Sequence, residues 1–325
     1  MIRKAHIKSL AKINLDLRVL ARRDDGFHDL RTVFQTISLG DTIDIEYEPA
    51  KRRKVLIEDS LAIPDNLIVR AAHAVLDNVK VSAHVRFRLQ KNIPMGGGLG
   101  GGSSNAAAVL LALPVLAGKW VSMERLMWIA HELGSDVPFF LQGGTQLGLG
   151  RGGELYPQPD VHGAPVLLVS PAVRVATGPA YAALDRSLTF TGSSSSINSF
   201  QAFVRALGDG RSAMAASAFS ANDFETVVFK QHPQIRKIAG RLRKFSPSVR
   251  MSGSGSTIFA LFDSEQDRTH AVKGLSGDRV FRDCRLIEAE LVSRRGYQRL
   301  WRRQLREHLV PLKDDLWPPQ SRYAQ

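Results

Sequence analysis

From Ala11 onward the apolar residues fall on odd positions, Ala11, Ile13, Leu15, Leu17 and Val19, with polar residues on most of the even ones between. Period two is the spacing of a β-strand, whose successive side chains leave opposite faces. The pattern therefore predicts a strand that gathers Lys12, Asn14, Asp16 and Arg18 on one surface. Asp24, Asp25 and Gly26 read as a turn that delivers Phe27 and His28 just past the strand end. Further strands are predicted over residues 31–39 and 42–47. A stripe through Leu67, Ala71, Val75 and Leu76 predicts a helix over residues 66–79, and Val85, Phe87 and Leu89 alternate in a strand directly after it.

Pro94 and Met95 then lead into Gly96, Gly97, Gly98, Leu99, Gly100, Gly101, Gly102, Ser103 and Ser104, and an alanine- and leucine-rich run of high helix propensity continues to Leu113. Strand, glycine loop and helix in that order suit phosphate. Glycines let the backbone approach a ligand and aim amide hydrogens at it, and the helix adds the positive end of its dipole. Ser103 and Ser104 bring hydroxyls for phosphate or magnesium. The Walker pattern G-x-x-x-x-G-K-[ST] is not met, because no lysine stands before Ser103. Gly96, Gly98 and Gly101 satisfy the dinucleotide pattern G-x-G-x-x-G, but in so glycine-rich a run the match says little. A flexible linker is the plain alternative, yet linkers seldom separate a marked strand from a strong helix.

Downstream, Ser122 and Gly134 bracket a predicted helix, and Ser135, Asp136, Val137 and Pro138 form a bend. Residues 143–153 read as a glycine-broken hairpin, and a strand at 166–169 opens a second lobe. Thr177 is placed as the cap of a short helix through Tyr181, residues 192–196 as a mobile serine-rich loop, and 197–207 and 233–245 as helices. A second small-residue loop, 252–256, precedes a strand at 257–262. Residues 294–309 read as a basic amphipathic helix and 311–325 as loosely ordered. The expected division is an N-terminal ATP-binding lobe over residues 1–160, a C-terminal substrate lobe over 161–292 and a basic extension over 293–325.

Composition narrows the possibilities. A chain of 325 residues is long enough for two lobes around a cleft, and 44% hydrophobic with 23% charged residues excludes a disordered or collagen-like protein. Cys284 is the single cysteine, which excludes a disulfide framework and a multi-thiolate zinc site and points to a reducing, cytosolic compartment. The longest apolar run, residues 106–118, is shorter than the roughly 20 residues that span a bilayer, so no membrane association is expected. The net charge of +13 is concentrated partly in residues 293–325, with eight Lys and Arg against three Asp and Glu. Without basic residues interleaved with aromatic ones elsewhere, a phosphate-rich small ligand fits better than nucleic acid.

The run from Lys91 through the glycines to Ala108 resembles the ATP-binding motif of the galactokinase, homoserine kinase, mevalonate kinase and phosphomevalonate kinase superfamily. Ala11-Lys-Ile-Asn-Leu, Asp25-Gly-Phe-His, Gly134-Ser-Asp-Val-Pro-Phe-Phe, Asn222-Asp-Phe-Glu and Met251-Ser-Gly-Ser-Gly-Ser are similar to further motifs of one branch, in that branch's order. The resemblance spans residues 8–292. It implies an α+β fold of two lobes around a cleft, the N-terminal one like a ribosomal-protein fold and the C-terminal one ferredoxin-like. It implies ATP and Mg2+ as cofactors and phosphorylation of the 2-hydroxyl of a small cytidine diphosphate substrate, 4-diphosphocytidyl-2-C-methyl-D-erythritol, in isoprenoid precursor synthesis. Asp136 is implied as catalytic base with Lys12 as its partner, residues Pro94 to Ser104 as the ATP loop, and Asn14, Phe27, His28, Thr177 and Tyr181 as substrate contacts. Residues 252–256 are expected across the cleft from the ATP loop.

Two positions depart from the branch. Phe27 stands where tyrosine is usual, and Asn105 where aspartate is usual; the asparagine is expected to cap the helix. Read without the resemblance, Asp136 is as well explained as a helix cap and Lys12 as part of a solvated face. Other alcohol kinases of the superfamily, and a non-catalytic RNA-binding module of the same N-terminal fold, remain alternatives.

Overall fold

The computed structural model describes residues 1–59, 62–161, 163–187, 194–310 and 316–324. Among the described residues, ten strands form two sheets. The first contains β1 (Arg3–Arg22), β2 (His28–Pro49), β3 (Lys54–Asp59), β4 (Ala83–Gln90), β5 (Thr145–Gly150) and β6 (Glu154–Pro157). The second contains β7 (Pro165–Pro171), β8 (Val249–Met251), β9 (Ile258–Leu261) and β10 (Cys284–Glu290) in the order β10-β7-β9-β8. The two strands predicted over 31–39 and 42–47 are one continuous strand. β2 pairs with β1 along most of its length, with β5 through its first half and with β4 through its second.

Helices Leu67–Asn78, Gly101–Ala117 and Met123–Leu133 belong to the N-terminal core, together with the ring side chains of Phe139 and Phe140. The helix Gly101–Ala117 is buried along nearly its whole length, from Ser104 to Leu116, because its alanines let other elements approach its backbone on several sides. A second core lies between the C-terminal sheet and helices Thr177–Ser187, Phe224–Gln231, Pro233–Leu242 and Glu265–Leu275. A third joins the lobes: Ala11, Ile13 and Leu15 of β1 pack with Leu99 and with Val166, Leu168, Phe259 and Leu261 of the second sheet.

That junction changes the reading of β1. Its polar face is buried as well, with Lys12, Asn14, Asp16 and Arg18 all 6% exposed or less, because the C-terminal lobe covers what a lone sheet would leave in water. β3, β10 and the helices 224–231 and 265–275 were not legible as elements, being short or dominated by charged residues. The loop expected over 192–196 lies partly outside the described residues; from Ser194 the chain is in the helix Ser194–Gly208.

The C-terminal extension is docked on the N-terminal lobe. Helix Arg294–Gln304 buries Tyr297 and Trp301 in its core, the Trp317 indole N–H donates to the Leu141 carbonyl at 2.9 Å, and Ser321 Oγ donates to the Val115 carbonyl at 2.7 Å. The expectation of loose order over 311–325 is therefore corrected for residues 316–324; residues 311–315 and 325 lie outside the described ones. Basic composition concealed the aromatic and hydroxyl groups that hold the segment down.

Candidate active site

The glycine loop ends in a helix whose first residue, Gly101, follows Gly100 at φ 70°, and no side chain caps this end. The amides of the first turn are thereby left to a ligand. Five of the six glycines divide into two groups. A Cβ on Gly97 would lie 2.5 Å from Thr257 Oγ1, one on Gly98 2.0 Å from the Ser252 carbonyl oxygen, and one on Gly100 2.8 Å from the Phe140 ring. These three allow protein to pack on protein. Gly96 and Gly102 have nothing nearer than 3.7 Å and leave the loop open. Leu99 is buried in the interlobe core and anchors the loop, and its carbonyl accepts from the Lys12 N–H at 3.1 Å. Pro94 is half-buried and Met95 exposed at the loop's entry.

The loop at 252–256 is in contact with the glycine loop, where separation across the cleft was expected. Ser252 Oγ donates to the Gly98 carbonyl at 2.9 Å, and the Thr257 N–H donates to the Gly97 carbonyl at 3.3 Å. Ser104 is also reassigned: its hydroxyl is buried and donates to the Leu10 carbonyl at 2.6 Å, leaving Ser103 as the loop's available hydroxyl. Asn105 does not cap the helix, since Gly100 holds that position. Its Oδ1 accepts from Ser9 Oγ at 2.6 Å in a buried pair.

Asp136 and Lys12, 124 positions apart in the sequence, meet beside this loop, with Lys12 Nζ 3.4 Å from Asp136 Oδ2. Lys12 is 4% exposed in its side chain and Asp136 35%, so the amine is walled in while the carboxylate faces the opening. Lys12 Nζ also donates to Asn14 Oδ1 at 2.7 Å, and Asn14 Nδ2 donates to Thr32 Oγ1 at 2.8 Å, which fixes the amide's orientation. A cavity of about 180 Å3 is lined by Lys12, Asn14, Gly98, Gly100, Asp136 and Tyr181.

A neighbouring cavity of about 570 Å3 shares Asp136, Thr177 and Tyr181 and adds Phe27, His28 and Asp185. His28 stacks on Tyr181 with ring centroids 4.4 Å apart and planes 22° apart, and its Nε2 lies 2.6 Å from Asp185 Oδ1. Tyr181 meets Phe224 edge-on at 4.8 Å. Burial pushes the Tyr181 phenol up to about 12, and the Asp136 carboxylate adds to the shift. Phe27 is 48% exposed, with the Arg151 guanidinium 3.4 Å from its ring centroid. Thr177 Oγ1 lies 3.0 Å from Ser254 Oγ. All five expected substrate residues thus line one or both of these adjoining cavities.

Several residues of the site escaped the sequence reading. Asp185 and Arg151 carried no signal beyond their residue type. Asn222 stood in a quoted motif without a role: its Nδ2 donates to the carbonyls of Met251 at 2.7 Å and Gly253 at 2.8 Å, and its Oδ1 accepts from the Phe224 N–H. It ties the loop 252–256 to the helix Phe224–Gln231. Asp16 is held beside it by Arg18 and the Ala221 N–H at 2.7 Å; burial nonetheless raises its carboxyl above the usual range.

The chain matches the GHMP kinases N terminal domain over residues 66–144 and the GHMP kinases C terminal domain over residues 200–277. It is 48% identical over 326 residues to the 4-diphosphocytidyl-2-C-methyl-D-erythritol kinase of Solibacter usitatus, across 99% of this chain and 98% of the relative. The protein of the same name from Thermotoga maritima is 37% identical over 272 residues, 83% of this chain and 97% of the relative. A crystal structure of 4-(cytidine 5'-diphospho)-2C-methyl-D-erythritol kinase superposes with a TM-score of 0.71 at 32% identity, covering 88% of this chain and 98% of the other. L. major mevalonate kinase in complex with R-mevalonate shares the fold with a TM-score of 0.67 at 17% identity, over 89% of this chain and 96% of that one.

Proposed function

The chain belongs to the GHMP kinases and, within them, to the 4-diphosphocytidyl-2-C-methyl-D-erythritol kinase family, and we propose here which of its atoms carry out the phosphotransfer. The enzyme moves the γ-phosphoryl group of ATP to the 2-hydroxyl of 4-diphosphocytidyl-2-C-methyl-D-erythritol, a step toward isoprenoid precursors. The observation that carries the assignment is the 3.4 Å approach of Lys12 Nζ to Asp136 Oδ2 beside an uncapped helix start.

Asp136 accepts the proton of the 2-hydroxyl while that oxygen bonds to the γ-phosphorus. The bond from phosphorus to the β,γ-bridging oxygen breaks, and ADP leaves with the electron pair. Lys12 offsets the negative charge on the group in transit, and Asn14 holds the ammonium on that side. The first-turn amides after Gly100 receive the phosphates. The cytosine is received by Phe27, His28 and Tyr181: an aromatic face stacks on a base, and the imidazole, steadied by Asp185, reads its edge.

Magnesium enters such sites bound to nucleotide phosphates and needs few protein oxygens. The donor set fits that role: a hydroxyl, Ser103, stands in the first turn of the uncapped helix that receives the phosphates. The Ser103 hydroxyl, left available where that of Ser104 is bonded to Leu10, would hold the ion, which would supply neutralisation of phosphate charge. The nucleotide and reacting pair are assigned to the lobe of residues 1–160, and Thr177 and Tyr181 come from the lobe of residues 161–292. The count of one cysteine, Cys284, supports a cytosolic, reducing setting.

The test is an ADP-release assay with the cytidine substrate beside homoserine, mevalonate and galactose. Turnover is expected with the first; phosphorylation of one of the others in its place would reassign the substrate. Asp136→Asn is expected to lower kcat by orders of magnitude while ATP binding, followed by calorimetry, persists.

A further inference from the structure

The Gly150–Gly153 turn places one side chain, Arg151, against both cavities of the site. Gly150 at φ 62° and Gly152 at φ 87° make the tight turn between β5 and β6, and Arg151 projects from it. Its guanidinium carbon lies 3.4 Å from the Phe27 ring centroid, a stacking distance. It lines the cavity of Phe27, His28 and Tyr181 as well as that of Lys12, Asn14 and Asp136. Arg22 lines the first and Lys12 the second; among the described residues, Arg151 is the cation common to both. It forms no ion pair among the described residues, whereas Lys12 is already engaged by Asp136 and Asn14.

We propose that Arg151 binds the diphosphate of the substrate and thereby selects a nucleotide-linked alcohol over an uncharged one. The inference rests on the proposed reading of the site. With the base against Phe27, His28 and Tyr181 and the reacting hydroxyl at Asp136, the diphosphate that links them has to cross from one cavity to the other. Among the described residues, Arg151 is the cation on that path that borders both cavities. A guanidinium held over an aromatic ring still has N–H groups to offer, and its planar fork matches two phosphate oxygens at once. Phe27 offers the ring face as the mooring.

The experiment compares cytidine with cytidine diphosphate by calorimetry in the wild type and in Arg151→Ala and Arg151→Lys, with steady-state kinetics alongside. The wild type is expected to favour the diphosphate. Arg151→Ala is expected to lose roughly 10- to 100-fold in diphosphate affinity with cytidine affinity unchanged, and to raise KM for the substrate but not for ATP. Arg151→Lys should recover part of the loss, as a charge without the fork. An alanine variant that keeps the full preference for the diphosphate overturns the proposal. Equal losses for both ligands would also overturn it, making Arg151 a support for Phe27 alone. A wild type that binds neither ligand would instead refute the cytidine reading on which it rests.

Discussion

The Tyr297 hydroxyl donates to the carbonyl of Phe140 at 2.5 Å, joining the C-terminal extension to the segment that follows Asp136. Phe140 lies where a Cβ on Gly100 would collide with it, at 2.8 Å, so the extension braces the glycine loop through one intervening ring. The Tyr297 ring itself occupies the space beside Gly143, within 2.5 Å of where a Cβ there would stand. The extension is consequently part of the catalytic lobe's packing.

Tyr297→Phe removes that hydrogen bond and leaves a buried carbonyl short of a partner, for an expected loss of about 1 kcal/mol. Tyr297→Ala also opens a cavity in the core and is expected to lose roughly 3–5 kcal/mol. Urea unfolding of both variants checks the order. An alanine variant as stable as wild type would show that the extension does not brace the lobe.

Gly98→Ala and Gly102→Ala should behave differently although both lie in one run. At Gly98, φ is 75° and a Cβ would overlap the Ser252 carbonyl at 2.0 Å, so the variant is expected to fold poorly or lose the contact between the two loops. At Gly102, in the first helical turn, the nearest atom is 3.7 Å away and alanine favours helix, so the protein should fold normally with a raised KM for ATP. Thermal melts and ATP titrations separate the two effects.

Asn222 Nδ2 donates to Met251 at the end of β8 and to Gly253 in the loop at 252–256. Asn222→Asp replaces that nitrogen with oxygen facing two carbonyls, and is expected to be more destabilising than Asn222→Ala, by roughly 1–3 kcal/mol. A calorimetric comparison of melting temperatures decides it; an aspartate variant as stable as the alanine one would mean that the amide donors do not hold the loop.

Tyr181 carries a pH dependence with a defined sign. Its proton is held up to about 12 in the folded state, against the ordinary tyrosine value of 10.0, with burial the main cause. Stability from this group is complete below the unfolded value and is lost as pH rises through the folded one. Alkaline melts should show a smaller fall in Tm for Tyr181→Phe than for wild type between these two values. Equal falls would mean that Tyr181 makes no such contribution.

Much of this enzyme was present in local pattern. The alternation of residues 11–19, the order of strand, glycine run and helix, and Ser122 capping its helix through the Arg125 N–H depend on neighbours a few residues away, which a linear reading contains. What the fold alone decided involves groups that meet across long loops. The polar face of β1 is buried because another lobe covers it, and Gly97, Gly98 and Gly100 are glycines because Thr257, Ser252 and Phe140 press against them. The hydroxyl of Ser104 is spent on Leu10, the basic tail is held by Tyr297, Trp301 and Trp317, and Arg151 reaches Phe27 from a turn more than a hundred residues away. Periodicity records which way a side chain points; what it meets there is set by chain closure, and that information resides in the packed structure.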